Sequence, residues 1–415
     1  MFTGSYEYSA TGASSAYYET FHHHVVLPKL EADTEYFYIV GDEEGGWSKE
    51  YSAKTAPFSE NLRGNFSIAV FADLGIHNGE ATTAYVNKIV GNDEVKLVWQ
   101  GGDVGYADDS FLHKDCAFKF CYEETWDNYM QSIEPFASKV PYMVAVGNHE
   151  ADCHDPACLD DEERREKLSN FTAYNTRFRM PSPESNSGAL NMHYSFNYGP
   201  VHFISIDTET GYPGAAEQVR YVLPCGGFEE QLSWLEQDLI KANEDRATRP
   251  WIFVQGHHPL YQGDSVNRDF QVAMEKLFYD YGVDIYFSGH VHSYERDYPV
   301  YDSKVDPQKY ENPTATTYLM IGGAGNDEMK NAQVTDPSPN DKLNGIAGRP
   351  NSWKESDDDG PWTAFTDKEH FGIGIVDIID DDNLKFHYIR TSDGTEYDSM
   401  SLKRDHSVYI NKYKK

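Results

Sequence analysis

Five times along this chain a short run of β-branched and aromatic residues ends in a compact polar string. The strings are Phe71-Ala72-Asp73-Leu74-Gly75, Gly102-Asp103-Val104-Gly105-Tyr106, Gly147-Asn148-His149-Glu150, Val254-Gln255-Gly256-His257-His258 and Gly289-His290-Val291-His292. The runs before them read as strands at Phe66–Ala72, Val95–Gln100, Tyr142–Val146, Trp251–Val254 and Asp284–Phe287. Further strands are expected at Val201–Ile206, Thr317–Ile321, Ile373–Ile379 and Leu384–Ile389. Helices are expected between them. Phe228–Ala242 puts Leu232, Leu235, Leu239 and Ile240 on one stripe, and Asp269–Tyr281 does the same with Phe270, Met274, Leu277, Phe278 and Tyr281. Strands alternating with helices imply a layered α/β fold. In open sheets of that kind ligands bind beyond the carboxyl ends of the strands. Five strings on five strand ends can therefore converge on one place.

Each string alone is commonplace. Asp-x-Gly after a strand is usually a turn, Gly-Asp a turn start, and His-x-His is more often structural than metal-binding. Their order and their shared position at strand ends give them weight. Together they carry two Asp, a Tyr, an Asn and several His, the donor chemistry of a metal site. His290 and His292 lie two apart, so in an extended chain both face one way. The set is too large for one four- to six-coordinate ion and suits two ions that share a carboxylate.

The rest of the sequence narrows the setting. Asp+Glu number 68 against 35 Lys+Arg, a formal charge of -33. With 39% hydrophobic and 14% aromatic residues the chain is too apolar for acidic disorder. Its field repels a nucleic-acid backbone or an anionic membrane surface, so neither is expected as a partner. No apolar run approaches the ~18 residues that span a bilayer. Of five cysteines, Cys116, Cys121, Cys153 and Cys158 form two local pairs in polar segments. They admit a zinc site or free core thiols, but their context favours disulfides. The pairing Cys116–Cys121 with Cys153–Cys158 is the simplest, and a crossed one stays open. Cys225 is left free, capped or paired outside the chain. Asn-x-Ser/Thr sequons at Asn65 and Asn170 are candidate glycosylation sites. Cysteines and sequons point to an exported, oxidising location, secreted or vacuolar-lysosomal. The first residues carry no signal-peptide pattern.

Residues 1–57 have a different texture. Val25–Leu27, Glu35–Val40 and Trp47–Ala53 read as short strands, the end of a β-sandwich whose beginning lies outside this chain. Three strands do not close such a domain, so they are expected to lean on residues 58–405 or on a partner, with 406–415 as a tail. The His22-His23-His24 run is read as part of a strand. Lys330–Pro361, rich in Asn, Asp, Pro and Gly, is expected to be a surface loop.

The ordered strings resemble those of the metallophosphoesterases, and Tyr106 narrows the likeness to the purple acid phosphatases. Tyr194–Ser205, His290–Arg296, Gly322–Asn326 and Phe371–Ser399 look like segments of the same family. The resemblance runs from about residue 25 onward. It is nearest to the larger plant and fungal members, whose N-terminal domain is a fibronectin-like sandwich. It implies a β-sandwich of two mixed sheets flanked by helices. It further implies that Asp73, Asp103, Tyr106 and His292 hold Fe(III), and that Asp103, Asn148, His257 and His290 hold a divalent ion (Zn, Mn or Fe), with Asp103 bridging. A phenolate is a hard anionic donor that suits ferric iron. The implied reaction is hydrolysis of a small phosphate ester at acidic pH, by attack of a hydroxide generated at the metals. His149 would not be a ligand, and is the candidate to stabilise phosphate charge or protonate the leaving oxygen. In plant members two adjacent His follow the Val-x-x-His ligand by about nine residues; here Val266 and Asn267 stand there. His258, where fungal members often have Arg, or Arg268 is the candidate to replace that charge. Preference for diesters, nucleotide pyrophosphates or phytate is the alternative reading, and a non-catalytic metal-binding surface protein is a further one. The oligomeric state is not legible.

Overall fold

The computed structural model describes residues 2–9, 17–57, 66–113, 116, 119–188, 190–209, 228–326 and 355–413. In chain order the main strands are β1 (Phe66–Phe71), β2 (Leu97–Gly101), β3 (Tyr142–Ala145), β4 (Tyr194–Tyr198), β5 (Val201–Ser205), β6 (Trp251–Gln255), β7 (Ile285–Ser288), β8 (Tyr294–Asp297), β9 (Thr317–Ile321), β10 (Thr363–Asp367), β11 (Gly372–Ile378), β12 (Asn383–Arg390) and β13 (Glu396–Lys403). They form a six-stranded sheet of order β3-β2-β1-β11-β12-β13 and a seven-stranded sheet of order β4-β5-β6-β7-β9-β8-β10. Both are mixed. In the first, β3, β2 and β1 run parallel and β11 to β13 antiparallel. In the second, β5, β6, β7 and β9 run parallel, with β4 antiparallel to β5, β8 antiparallel to β9, and β10 antiparallel to β8.

The sheets stack face to face through the apolar residues on the inner side of each strand. Ile68, Val70, Leu97 and Trp99 of one sheet meet Phe203, Phe253, Ile285 and Phe287 of the other. Trp99 sits edge-on to Phe203 and Phe287 at 5.0 and 5.9 Å, and its indole donates to Ser205 Oγ at 3.1 Å. The outward faces are buried as well. Ala69, Phe71, Val98 and Val144 pack under helices α1 (Glu80–Gly91) and α2 (Tyr122–Ala137). Ile204, Ile252 and Val254 pack under α3 (Phe228–Glu244) and a helix in three segments, Arg268–Phe270, a π turn at Gln271–Glu275 and Lys276–Tyr281. Burial on both faces is why these strands read as continuous apolar runs. The expected sandwich of mixed sheets between helices is present, with strand ends within about two residues of their expected places.

The differences have physical causes. Val25–Leu27 is not a strand: it is exposed and runs into Pro28, while the preceding Tyr17–His24 pairs antiparallel with Phe2–Ser9. Trp47–Ala53 is split between strands Gly46–Trp47 and Tyr51–Lys54. These N-terminal strands do lean on the sheets' flank. His24 Nε2 donates to Thr176 O at 2.9 Å and the Tyr38 hydroxyl to Ser138 O at 2.8 Å. Most of the expected loop Lys330–Pro361, like Asn65 and Cys225, lies outside the described residues. Asn170 is exposed. The disulfides are Cys116–Cys121 and Cys153–Cys158, so the crossed pairing is excluded.

The C-terminal residues form a helix, Ser407–Tyr413, tied to the second sheet through Asp284. Asp284, fully buried just before β7, faces Arg246 at 3.2 Å, Arg404 at 3.2 Å and His406 at 3.0 Å, and accepts from Ile252 N at 2.7 Å. Burial alone would raise its pKa, but Arg404, His406 and Arg246 outweigh it and hold the carboxylate below its ordinary value. Its stabilising contribution is therefore present above an unfolded pKa of about 3.9 and is lost as pH falls through the folded value. Asp284→Asn leaves two guanidinium groups buried without a counter-charge. Denaturant unfolding at neutral pH should show a loss of about 3–5 kcal/mol, and the gap from wild type should narrow below about pH 4. A loss below about 1 kcal/mol, the scale of an exposed pair, would contradict this account.

Candidate metal centre

The five polar strings do converge. Asp73 follows β1, Asp103 and Tyr106 follow β2, Asn148 and His149 follow β3, His257 and His258 follow β6, and His290 and His292 follow β7. Four of the donor residues, Asp73, Asp103, Tyr106 and His290, have left-handed backbones, with φ of 63, 49, 55 and 71°. Such conformations cost of order 1–3 kcal/mol each outside glycine and persist where neighbours over-determine them. Two glycines make the approach feasible. A Cβ on Gly147 would lie 2.2 Å from Asp103 Oδ1, and one on Gly289 would lie 2.2 Å from Asp73 Oδ2.

The donor atoms fall into two groups. The Tyr106 hydroxyl lies 3.1 Å from Asp73 Oδ1, 3.4 Å from Asp103 Oδ2 and 3.1 Å from His292 Nε2. Asn148 Oδ1 lies 3.1 Å from His257 Nε2 and 2.9 Å from His290 Nδ1, and His257 Nε2 lies 3.0 Å from Asp103 Oδ2. Asp73, Asp103 and His292 form one group that could hold a metal ion, and Asp103, His257 and His290 another. Asp103 belongs to both. Asp73 and Asp103 are buried; burial raises the pKa of Asp73, whereas in Asp103 it is outweighed by His257 and His149, which lower it.

The residues fit a cation. His257 Nδ1 donates to Gly101 O at 3.0 Å, which leaves Nε2 as the ring atom turned inward. Nε2 faces Asn148 Oδ1 and Asp103 Oδ2, acceptors both. Atoms so placed call for a positive charge among them, which a proton on Nε2 or a metal ion in its place supplies, and imidazole, amide and carboxylate donors are those of a transition-metal site.

Residues not expected from the sequence hold this arrangement. The buried Glu150 carboxylate accepts from Asp103 N at 3.0 Å, Val104 N at 2.6 Å and Gly147 N at 2.7 Å, tying the β2 and β3 loops together. Asp108, also buried, accepts from His149 Nδ1 at 3.0 Å and His154 Nδ1 at 2.9 Å. The His149 ring lies 4.4 Å from the Tyr106 ring, with Nε2 3.9 Å from Asp103 Oδ2. Burial lowers its pKa, but Asp108, Asp103 and Asp109 reverse this and raise it well above the ordinary value. His258 lies beside His290, ring centres 4.0 Å apart. Arg268 does not share that position: its guanidinium donates to Gln271 and Ser303, at 2.7 and 3.2 Å. Val266 pairs with Tyr261, and Asn267 caps the following helix by accepting from Phe270 N at 3.3 Å.

Removing Glu150 tests the tie. Glu150→Ala leaves three buried N–H groups without an acceptor, each costing about 1–3 kcal/mol. The purified variant should melt lower and carry less metal by elemental analysis. Unchanged metal content would show that the two loops hold their positions without it.

Comparison with known proteins agrees with this geometry. Residues 66–294 match the calcineurin-like phosphoesterase family, residues 3–55 the N-terminal domain of purple acid phosphatases, and residues 343–399 the C-terminal part of iron/zinc purple acid phosphatase-like proteins. The chain is 30% identical to an acid phosphatase of Aspergillus ficuum, over 92% of this chain and 75% of the relative. It is 33% identical to a probable purple acid phosphatase of Arabidopsis thaliana, over 81% of this chain and 70% of the relative. In fold it is similar to a purple acid phosphatase from yellow lupin seeds, with a TM-score of 0.69 at 23% identity, covering 98% of this chain and 67% of that one. With one shared carboxylate between two donor groups at the strand ends and relatives of this kind along its length, the chain belongs to the purple acid phosphatases, dimetal members of the calcineurin-like phosphoesterases.

Proposed function

We propose that the protein is an acid phosphatase that hydrolyses phosphate monoesters at a centre of one ferric and one divalent ion. The observation that carries the reading is the pair of donor groups meeting at Asp103. Asp73, Tyr106 and His292, with the shared Asp103, would hold the ferric ion. Asn148, His257 and His290, again with Asp103, would hold zinc, manganese or iron. When bound, such a pair polarises phosphoryl oxygens and makes water acidic enough to act as a nucleophile below neutral pH.

The protein's own groups do the rest. Two carboxylates and a phenolate do not neutralise a ferric and a divalent ion, so the site attracts an anionic ester inside a chain of formal charge -33. His149 is held by Asp108 through Nδ1, at 3.0 Å, and this leaves Nε2 to address the substrate. An imidazolium there stabilises phosphoryl charge and donates its proton to the departing alkoxide. His258 is a second such contact at the other donor group. The disulfides and the exposed sequon at Asn170 support an exported, oxidising compartment. Among the described residues no helix is long and apolar enough to cross a membrane.

A substrate panel tests the reading. Monoesters are expected to be cleaved with an acidic optimum and faster than diesters, nucleotide pyrophosphates or phytate. His149→Ala should keep its metals and lose about 10²–10⁴ in kcat. A diester hydrolysed faster than any monoester would move the function to the alternative class, and near wild-type turnover in His149→Ala would make that residue structural.

A further inference from the structure

Glu209 is a buried carboxylate beside the centre that neither the ligand set nor the chemistry above employs. The chain delivers it with care. Beyond β5, Gln231 of α3 grips the backbone at Asp207, accepting from its N at 2.7 Å and donating to its O at 2.8 Å. Asp207 Oδ1 accepts from Glu209 N at 2.8 Å, and Thr208 Oγ1 accepts from His257 N at 3.1 Å and His258 N at 3.0 Å. The ends of β5 and β6 are thereby locked together. Glu209 Oε1 then meets His258 Nε2 at 3.0 Å, with the two side chains only 6% and 11% exposed.

The consequence falls on the other ring nitrogen. With Nε2 donating to Glu209, Nδ1 of His258 is a polar edge that meets no partner among the described residues and is not fully buried. The ring stands 4.0 Å from that of His290 and 5.7 Å from that of His257. Each donor group is therefore bordered by a non-ligand imidazole braced by a buried carboxylate: His149 by Asp108 next to Tyr106, and His258 by Glu209 next to His290. Val266, Asn267 and Arg268, on the following turn, are engaged in a strand pair, a helix cap and contacts to Gln271 and Ser303.

We propose that Glu209 is a positioning residue that fixes the His258 ring so that Nδ1 addresses a phosphoryl or ester oxygen of the substrate at the Asn148–His257–His290 side. The proposal rests on the phosphatase reading above. It makes His258 a substrate contact and Glu209 a group that acts only through it.

A double-mutant cycle read by phosphate binding separates positioning from mere structure. Calorimetry with inorganic phosphate is applied to the metal-loaded wild type, His258→Ala, Glu209→Ala, and the double variant. Each single change is expected to weaken phosphate binding by about tenfold, the scale of a lost hydrogen bond to a charged group. The double variant should lie within about twofold of either single, with metal content unchanged throughout. Glu209→Gln keeps an acceptor for Nε2 and should stay within about threefold of wild type, a fraction of that loss. Glu209→Met keeps the volume without the acceptor and should match Ala, which covers an Ala variant that fails to fold. Wild-type affinity in Glu209→Met, losses that multiply in the double variant, or a wild type that binds no phosphate would each overturn the proposal. A wild type that binds phosphate but cleaves no monoester would instead overturn the assigned activity, while the cycle still decides the role of Glu209.

Discussion

The structure turns on the buried carboxylate of Asp103. It is the one side chain common to both donor groups, and it sits on a left-handed residue in a loop that would not hold itself there. Three things fix it: the absence of a side chain at Gly147, the acceptance of its own N–H by Glu150, and its acceptance of the His149 N–H at 3.1 Å. Loops after β2 and β3 are thus one unit. Displacing it separates Tyr106 from Asp73 on one side and Asn148 from His257 on the other. Burying two carboxylates within reach of each other is unfavourable unless a cation compensates, so a metal would complete the polar interior of the fold as well as supply its chemistry.

The two sheets provide the rigidity that such strain requires. Trp99 and the Phe residues opposite it fill the space between the sheets, and the outer helices seal both faces. At the far end, Asp284 and its neighbours Arg246, Arg404 and His406 bind the C-terminal helix to the second sheet. Ligands placed on the ends of packed strands hold their geometry better than ligands on free loops. The strained turns persist because the strands that feed them cannot shift independently.

Much of this was legible because metal ligation restricts residue identity. Only a few side chains serve, and they had to fall where a strand ends, so the five strings could be singled out as one place, and the resemblance then proposed Asp73, Asp103, Tyr106, Asn148, His257, His290 and His292 from among them as the ligands. Strands buried on both faces announced themselves as apolar runs. What stayed hidden depends on partners distant in sequence. Asp108, Glu150 and Glu209 are three carboxylates among 68 acidic residues, and nothing local separates a brace from a solvated charge. Glu150 lay within a string that was noticed and still carried no sign of its three backbone donors. β8 was missed because Glu295, Arg296 and Asp297 break the apolar pattern; Arg296 is buried against Asp398 at 2.6 Å and Glu295 accepts from Gly263 N. Val25–Leu27 shows the opposite error, a β-branched run whose neighbour took the pairing.

Tyr106 would distinguish the proposed centre from a general dimetal site, since among the candidate donors only a phenolate bound to ferric iron would have a charge-transfer band in the visible. The most direct measurement is therefore metal analysis with the visible spectrum of the oxidised protein and of Tyr106→Phe. The account predicts about two metal ions per chain, at least one of them iron, a purple or pink wild type, and a bleached variant that keeps its fold because the ring still packs. A wild type with a single zinc and no iron when iron is supplied, or a Tyr106→Phe protein whose band is unchanged, would contradict it.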